Sequence, residues 1–109
     1  MRRLKFIIDQ GTLKQDPTCN FDGLFPAPDQ EIQAEFSFSG DWNRVSKVAA
    51  FYSMLDNEYP PKIIDEKNHC MIPPEALNLP AFKLQILGNN RGKIITTNTL
   101  TVYQKGGKV

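Results

Sequence analysis

A chain of 109 residues, 40% hydrophobic and 23% charged, has the composition of an ordinary globular protein, and its length predicts one domain over residues 1–109. Its 13 basic and 12 acidic side chains are interspersed and leave a net charge of +1, which argues against the basic stripe that nucleic-acid binding requires. No apolar run approaches the roughly 20 residues that span a bilayer or the about 7–15 of a secretion signal, so we expect a cytosolic protein without a membrane partner.

The N-terminal third predicts a short hairpin followed by a long loop. Leu4 to Ile8 reads as a strand, and turn formers at residues 9–11 allow residues 12–14 to pair back onto it. Residues 16–29 are dense in turn formers, and two prolines two residues apart exclude a central strand there. Loops of this length in compact domains are often functional.

Three apolar side chains lie inside this predicted loop: Phe21, Leu24 and Phe25. Two interpretations stay open, because the side chains could fold back to cap the core or form an apolar patch for a partner. Together with Tyr59, they are our candidate partner contacts.

The clearest strand covers residues 31–38, where Ile32, Ala34, Phe36 and Phe38 alternate with polar residues. A slip of one residue would expose both phenylalanines, so the register of this strand is strongly specified. Trp42 follows, at a position where we expect a side chain of the core or its edge.

A mostly apolar run from Val45 to Met54 fits a strand that is buried on both faces. Its periodicity would also allow a helix, but its β-branched and aromatic content favours a strand. The run does not show which of its two sides faces the core.

The next segments are shorter. Residues 59–64 contain Pro60-Pro61 and predict an edge strand, because an edge strand can lose backbone donors to solvent. A short strand over 69–72 precedes one helical turn near 73–77, in which a proline occupies the first turn.

The last third predicts a long β-hairpin. Phe82, Leu84 and Ile86 point to one side of the first arm, residues 88–92 supply the turn, and a run rich in β-branched residues forms the second arm. About seven short strands with turns about every 8–12 residues predict an all-β, antiparallel immunoglobulin-like β-sandwich, with a small barrel as the alternative.

The residues that could carry catalysis are few. His69 and Cys70 are adjacent in a predicted strand, so their side chains point to opposite faces and do not form a nucleophile–base pair. Cys19 and Cys70 are expected to be free thiols, as is usual in the cytosol, although the two could form one disulfide. No spacing of metal ligands and no phosphate-binding loop occurs, so we predict no enzyme, metal or cofactor.

Aromatic side chains leave a second hypothesis open, a carbohydrate-binding β-sandwich module. Such a module uses exposed aromatic platforms, whereas a sandwich core also requires large aromatics. The possible contributors are Phe21, Phe25, Trp42, Tyr52, Tyr59 and Tyr103.

Several segments, taken in chain order, carry a resemblance to a known class of proteins. They are the basic first strand, Glu35–Ser39 followed by Trp42, Val48–Tyr52, Cys70–Leu77, Phe82–Gly88 and Ile95–Asn98. This order resembles small immunoglobulin-like virion proteins of tailed bacteriophages and prophages of Gram-positive bacteria. Similar domains occur at the N-terminus of phage baseplate upper proteins.

The resemblance covers nearly the whole chain and implies a non-enzymatic structural role on a virion, reached after assembly in the cytoplasm of a bacterial host. The implied partners are phage capsid, tail or baseplate proteins, with self-association and a host-surface glycan as further expectations. The resemblance carries over no catalytic or ligand residue. We expect no receptor-binding extension like that of the baseplate proteins, which leaves the place on the virion open.

Overall fold

The structure, a computed structural model, describes residues 2–24, 26, 31–42 and 45–104. Within these residues it contains nine strands, a 3₁₀ turn at Gly40–Trp42 and one α-helix, α1 (Pro74–Leu77). The strands are β1 (Arg2–Asp9), β2 (Thr12–Gln15), β3 (Ile32–Phe38), β4 (Ser46–Tyr52), β5 (Lys62–Ile63), β6 (His69–Met71), β7 (Ala81–Asn90), β8 (Lys93–Thr96) and β9 (Leu100–Tyr103). The all-β prediction and the short helical turn are therefore confirmed.

The first sheet has the strand order β2-β1-β3-β6. A tight turn at Gln10 and Gly11, whose φ angles are 52° and 83°, connects β1 to β2. β1 then pairs in parallel with β3, which corrects the expectation of a wholly antiparallel sandwich. The physical reason is the short return strand β2: it reverses the chain once more, so β3 begins at the same end of the sheet as β1.

The second sheet is antiparallel, with the order β5-β4-β7-β8 and with β9 also paired to β7. The predicted hairpin is confirmed, but its turn is shorter than the predicted residues 88–92. β7 continues through Asn90, and the turn consists of Arg91 and Gly92, with φ angles of 55° and 85°. Positive φ at both central residues suits the right-handed twist of the flanking strands.

The second arm of this hairpin is interrupted by a β-bulge. Leu87 pairs with Thr96 and Leu84 with Leu100, so residues 97–99 oppose only Gln85 and Ile86. The Ile86 amide donates to Thr97 Oγ1 at 3.0 Å, and the Ile86 carbonyl accepts from the Thr97 amide, also at 3.0 Å. The bulge divides one predicted arm into β8 and β9, which, with β2, accounts for nine strands instead of about seven.

The two sheets press their inner faces together, as the sandwich prediction requires. β4 turns Ala49 and Phe51 inward, which settles the question that its apolar sequence left open. The fully buried side chains come from both sheets and from α1: Leu4, Phe6, Ile8, Ala34, Phe51, Leu77, Phe82, Leu84, Ile86 and Val102.

α1 closes one end of this core through Leu77, and a buried amide fixes it there. Gln104 Nε2 donates to the carbonyls of Leu77 and Leu79 at 3.0 and 2.9 Å, so groups that the short helix leaves unpaired are satisfied. Among the described residues, no helix is long and apolar enough to cross a membrane.

Candidate functional site

The outer face of the second sheet is apolar at one end. Outside the core, Ile63 of β5, Val48 of β4 and Leu87 of β7 stand in one row across three neighbouring strands. Ile94 of β8 belongs to the next row, opposite Asn89. We call Val48, Ala50, Ile63, Leu87 and Ile94 the outer apolar patch.

The patch borders a depression of about 440 Å³. Its walls come from β4, β7, β8 and the segment before β5, and they are formed by Ser46, Val48, Ala50, Tyr52, Glu58, Pro61, Leu87, Gly88, Asn89 and Ile94. Depressions of this volume are within the range of ligand and peptide sites, which extends from about 300 to 1,000 Å³. The depression is open to solvent along the sheet surface. It is therefore better suited to contact with the surface of a partner protein than to enclosing a small molecule.

Two isoleucines of the patch are strongly exposed. Ile63 retains 80% and Ile94 retains 59% of its accessible surface, whereas Ala50 of the patch is 3% exposed. Single exposed apolar residues are ordinary, but several on one flat sheet face form a contiguous apolar surface. Covering each isoleucine would contribute about 1.5–3 kcal/mol.

The neighbouring end of the same face is polar. Lys83 Nζ lies 2.8 Å from Asp56 Oδ1, and this ion pair borders a second depression with Tyr52, Gln85 and Thr101. Since Asp56 is well exposed, the pair contributes little to stability. An apolar centre beside a polar rim is the usual anatomy of a protein docking surface.

These residues are not among the partner contacts predicted from the sequence, although the sequence carries a signal for them. Val48-Ala49-Ala50-Phe51-Tyr52 has apolar residues at both parities, which indicated burial on both faces. In the structure the side chains of Ala49 and Phe51 point into the core. Those of Val48, Ala50 and Tyr52 line the outer depression.

The residues predicted to contact a partner are dispersed. Leu24 is 2% exposed and belongs to the core, whereas Phe21 is partly buried and packs edge-to-face on Phe6 at 5.6 Å between ring centroids. Their positions match the capping interpretation of the loop. Tyr59 is partly buried against the core, and Phe25 lies outside the described residues.

The aromatic residues considered for carbohydrate binding are also dispersed. Trp42 is 4% exposed and stacks on Phe38 at 5.9 Å, so it confirms the expected core role. A Trp42→Ala variant would therefore damage the core and would not test glycan binding cleanly. Tyr103 is 59% exposed, but Tyr52 and Tyr59 are only partly so.

Both cysteines are free thiols. Burial, followed by the negative charge of Asp65, raises the pKa of Cys70 to about 12, which leaves this side chain a neutral thiol in the core. His69 points to the opposite face of β6, where its Nε2 lies 3.8 Å from Glu35 Oε2. The predicted separation of this histidine and cysteine is confirmed.

The outer face of the first sheet carries an ion pair. Glu35 Oε2 accepts from Arg3 Nε at 3.2 Å and faces His69. Among the described residues, no group of three or more histidine, cysteine or acidic side chains is arranged to hold a metal ion. Comparison with known proteins identifies no protein family whose model matches the chain and no significantly similar curated protein.

Proposed function

We propose that this chain is a structural protein of a tailed phage or prophage virion, a capsid decoration, tail or baseplate component that binds another virion protein through its outer apolar patch. The resemblance of the sequence to small immunoglobulin-like virion proteins supports the virion role. The observation that carries the docking mechanism is the exposure of Ile63 and Ile94 on a regular sheet face.

The chemistry of this face favours docking over ligand turnover. Val48, Leu87 and their exposed neighbours offer dispersion contacts and apolar area, and a flat sheet face can pack on a second sheet or on a helix. The polar end with Asp56 and Lys83 would form part of the rim, where hydrogen bonds set orientation more than affinity.

The experiment is co-sedimentation of the purified full chain with virions, or virion subassemblies, of the phage or induced lysogen that encodes it. We expect the wild-type chain to pellet with the particles, and the amount bound per particle to reach a plateau as more chain is added. Ile63→Glu should weaken the association by at least about 10-fold, because a carboxylate placed in an apolar contact loses its hydration.

Leu55→Glu is the matched control. Leu55 is 84% exposed, and it lies in the turn after β4, outside the outer apolar patch. It should therefore bind like the wild type. Binding by Ile63→Glu at wild-type strength would contradict docking through the patch, and a wild-type chain that stays in the supernatant with every particle fraction would contradict the virion role.

A further inference from the structure

The edge of β8 presents backbone groups that no other part of the described chain uses. Asn90 and Lys93 flank the two-residue turn and form a hydrogen-bonded pair, so Gly88 and Ile95 form the next one. The intervening residues Ile94 and Thr96 therefore direct their N–H and C=O groups away from β7. β8 is the last strand on this side of the sheet, and its edge is exposed.

Two other strand edges of the molecule, those of β2 and β6, have outward backbone groups that are capped. At the edge of β2, Asn98 Oδ1 accepts from the Leu13 amide at 2.6 Å, and Asn98 Nδ2 donates to the Leu13 carbonyl at 3.2 Å. At the edge of β6, Asp65 Oδ1 accepts from the His69 amide, and the Asp65 amide donates to the His69 carbonyl. Such caps prevent unplanned strand pairing, and β8 has none at Ile94 or Thr96 within the described residues.

A cleft of about 640 Å³ runs beside this uncapped edge. One wall consists of the final hairpin, and the other consists of the first hairpin turn with the segment around the 3₁₀ turn. The residues that line it are Gln10, Gly11, Ser39, Gly40, Trp42, Asn90, Lys93, Ile95 and Thr96. Each wall carries a side-chain amide and a hydroxyl, Gln10 and Ser39 on one side and Asn90 and Thr96 on the other, so an occupant would meet hydrogen-bonding groups on both sides.

The charge of the residues that line the cleft indicates which kind of side chain an occupant would carry. Of the described side chains that line it, Lys93 is the charged one, and it is exposed at the end of β8 next to the turn. A carboxylate on the occupant near this position would be complementary.

We propose that the cleft binds an extended segment of another polypeptide, which adds to the second sheet as a strand beside β8 and places an acidic side chain near Lys93. Strand addition to an open edge supplies main-chain hydrogen bonds, and adjacent pockets select side chains. The spacing of the free groups at Ile94 and Thr96 matches every second residue of an extended backbone. The inference does not depend on the virion role or on the outer apolar patch.

The probe is a random peptide library selected on the immobilised full chain, followed by amide hydrogen exchange measured by NMR on the complex with the best peptide. The amides of Ile94 and Thr96 should exchange fast in the free protein and become protected in the complex. The amide of Thr97 is already bonded to Ile86, so it should change little. The outward amide of Thr101, beyond the bulge and outside the cleft, is an internal control.

Peptide variants test the hydrogen-bond pattern without altering the protein. Methylation of single peptide amides should weaken binding about 3- to 10-fold at alternate positions, which face β8, and should have little effect at the positions between them. Lys93→Glu should weaken binding about 2- to 5-fold at low salt, whereas Lys62→Glu, at the opposite edge of the sheet, should not.

Failure of selection to yield any peptide that protects Ile94 and Thr96 would overturn the proposal. So would peptides whose methylation has no alternating effect, or whose protection maps to β4 and β5 and not to β8. If instead the free chain dimerises with both amides protected, a second copy of the chain occupies the edge and the proposal of a separate partner is wrong. If the chain failed to co-sediment with virions, the interpretation of these peptide-binding results would not change.

Discussion

Residue 88 is a glycine because the neighbouring side chains leave no room for a Cβ, and not because a turn requires its backbone conformation. A Cβ added there would lie 2.9 Å from Trp42 Cζ3 and 3.1 Å from both Ile95 Cγ1 and Val45 Cγ2. Its φ is not positive, unlike that of Gly92 in the turn itself. The missing side chain lets the indole of Trp42 reach the strand and stack on Phe38.

We expect Gly88→Ala to destabilise the protein by about 1–3 kcal/mol, because the added methyl group overpacks a site whose neighbours are ring and branched side chains. Denaturant melts followed by far-ultraviolet circular dichroism would measure the loss. In a Trp42→Phe background the same substitution should cost clearly less, since the closest contact is gone. Equal costs in the two backgrounds would show that Trp42 does not determine the choice of glycine.

Sequence patterns predicted the indole correctly and the glycine wrongly, for a physical reason. A tryptophan near the third strand of a sandwich commonly packs in the core, which favoured the burial of Trp42 over its use as an exposed platform. A glycine before Asn89 and Asn90 has two explanations, positive φ or close approach, and only the three-dimensional neighbours distinguish them. The same limit applied to Leu24, whose burial depends on where a long loop folds back.

The buried thiol of Cys70 makes the free energy of unfolding depend on pH in the alkaline range. Burial raises the pKa of its thiol in the folded state to about 12, from an ordinary value of 9.0. The neutral thiol is the form that the fold favours, so its contribution is complete below about pH 9 and is lost as pH rises toward 12. Unfolding free energies of the wild type should fall more steeply across this window than those of Cys70→Ala, by up to about 1.4 kcal/mol per pH unit. Parallel slopes would contradict this assignment.

At the level of elements, the bulge at residues 97–99 connects the two sheets. It directs the Asn98 carboxamide to both backbone groups of Leu13, on the edge strand of the opposite sheet. Neither the bulge nor this contact was predictable, because Thr97, Asn98 and Thr99 read as ordinary β-branched and polar strand residues. The parallel pairing of β1 with β3 was also missed, since local patterns specify a strand but not its distant partner.

Removing the Asn98 side chain should loosen β2 first. Asn98→Ala leaves the Leu13 amide and carbonyl without their partners, which we expect to cost about 1–3 kcal/mol. The Leu13 amide should lose protection from hydrogen exchange by a larger factor than the amides of β7. Asn57→Ala, in the turn after β4, is a control that should leave the exchange of Leu13 unchanged. Uniform loss of protection across both sheets would mean that Asn98 supports the whole fold and not the β2 edge.

At the level of the whole molecule, one apolar core holds two sheets whose outer faces differ in kind. The inward alternation of residues 31–38 was predictable because one register alone buries Phe36, which is 5% exposed. The apolar character of the opposite outer face was visible in Val48 and Ala50, but a strand covered by partner protein and one covered by its own chain have the same sequence pattern. That ambiguity explains why the candidate site emerged only from the structure.

Phe36→Ala tests whether both sheets share one cooperative unit. Phe36 stacks on Phe6 at 5.5 Å and contacts Phe38 at 5.9 Å between centroids, so truncation should cost about 3–5 kcal/mol. Fluorescence and far-ultraviolet circular dichroism should report one coincident unfolding transition at lower denaturant. A loss below about 1 kcal/mol, or two separate transitions, would contradict a single shared core.

The parallel ladder of β1 and β3 also determines how the protein would respond to mechanical load. Register pairs extend from Arg2 with Ile32 to Ile8 with Phe38. Tension applied along β1 would strain these pairs in shear, all together, instead of opening them one after another. Resistance to such tension is governed by the rate of unfolding and not by equilibrium stability.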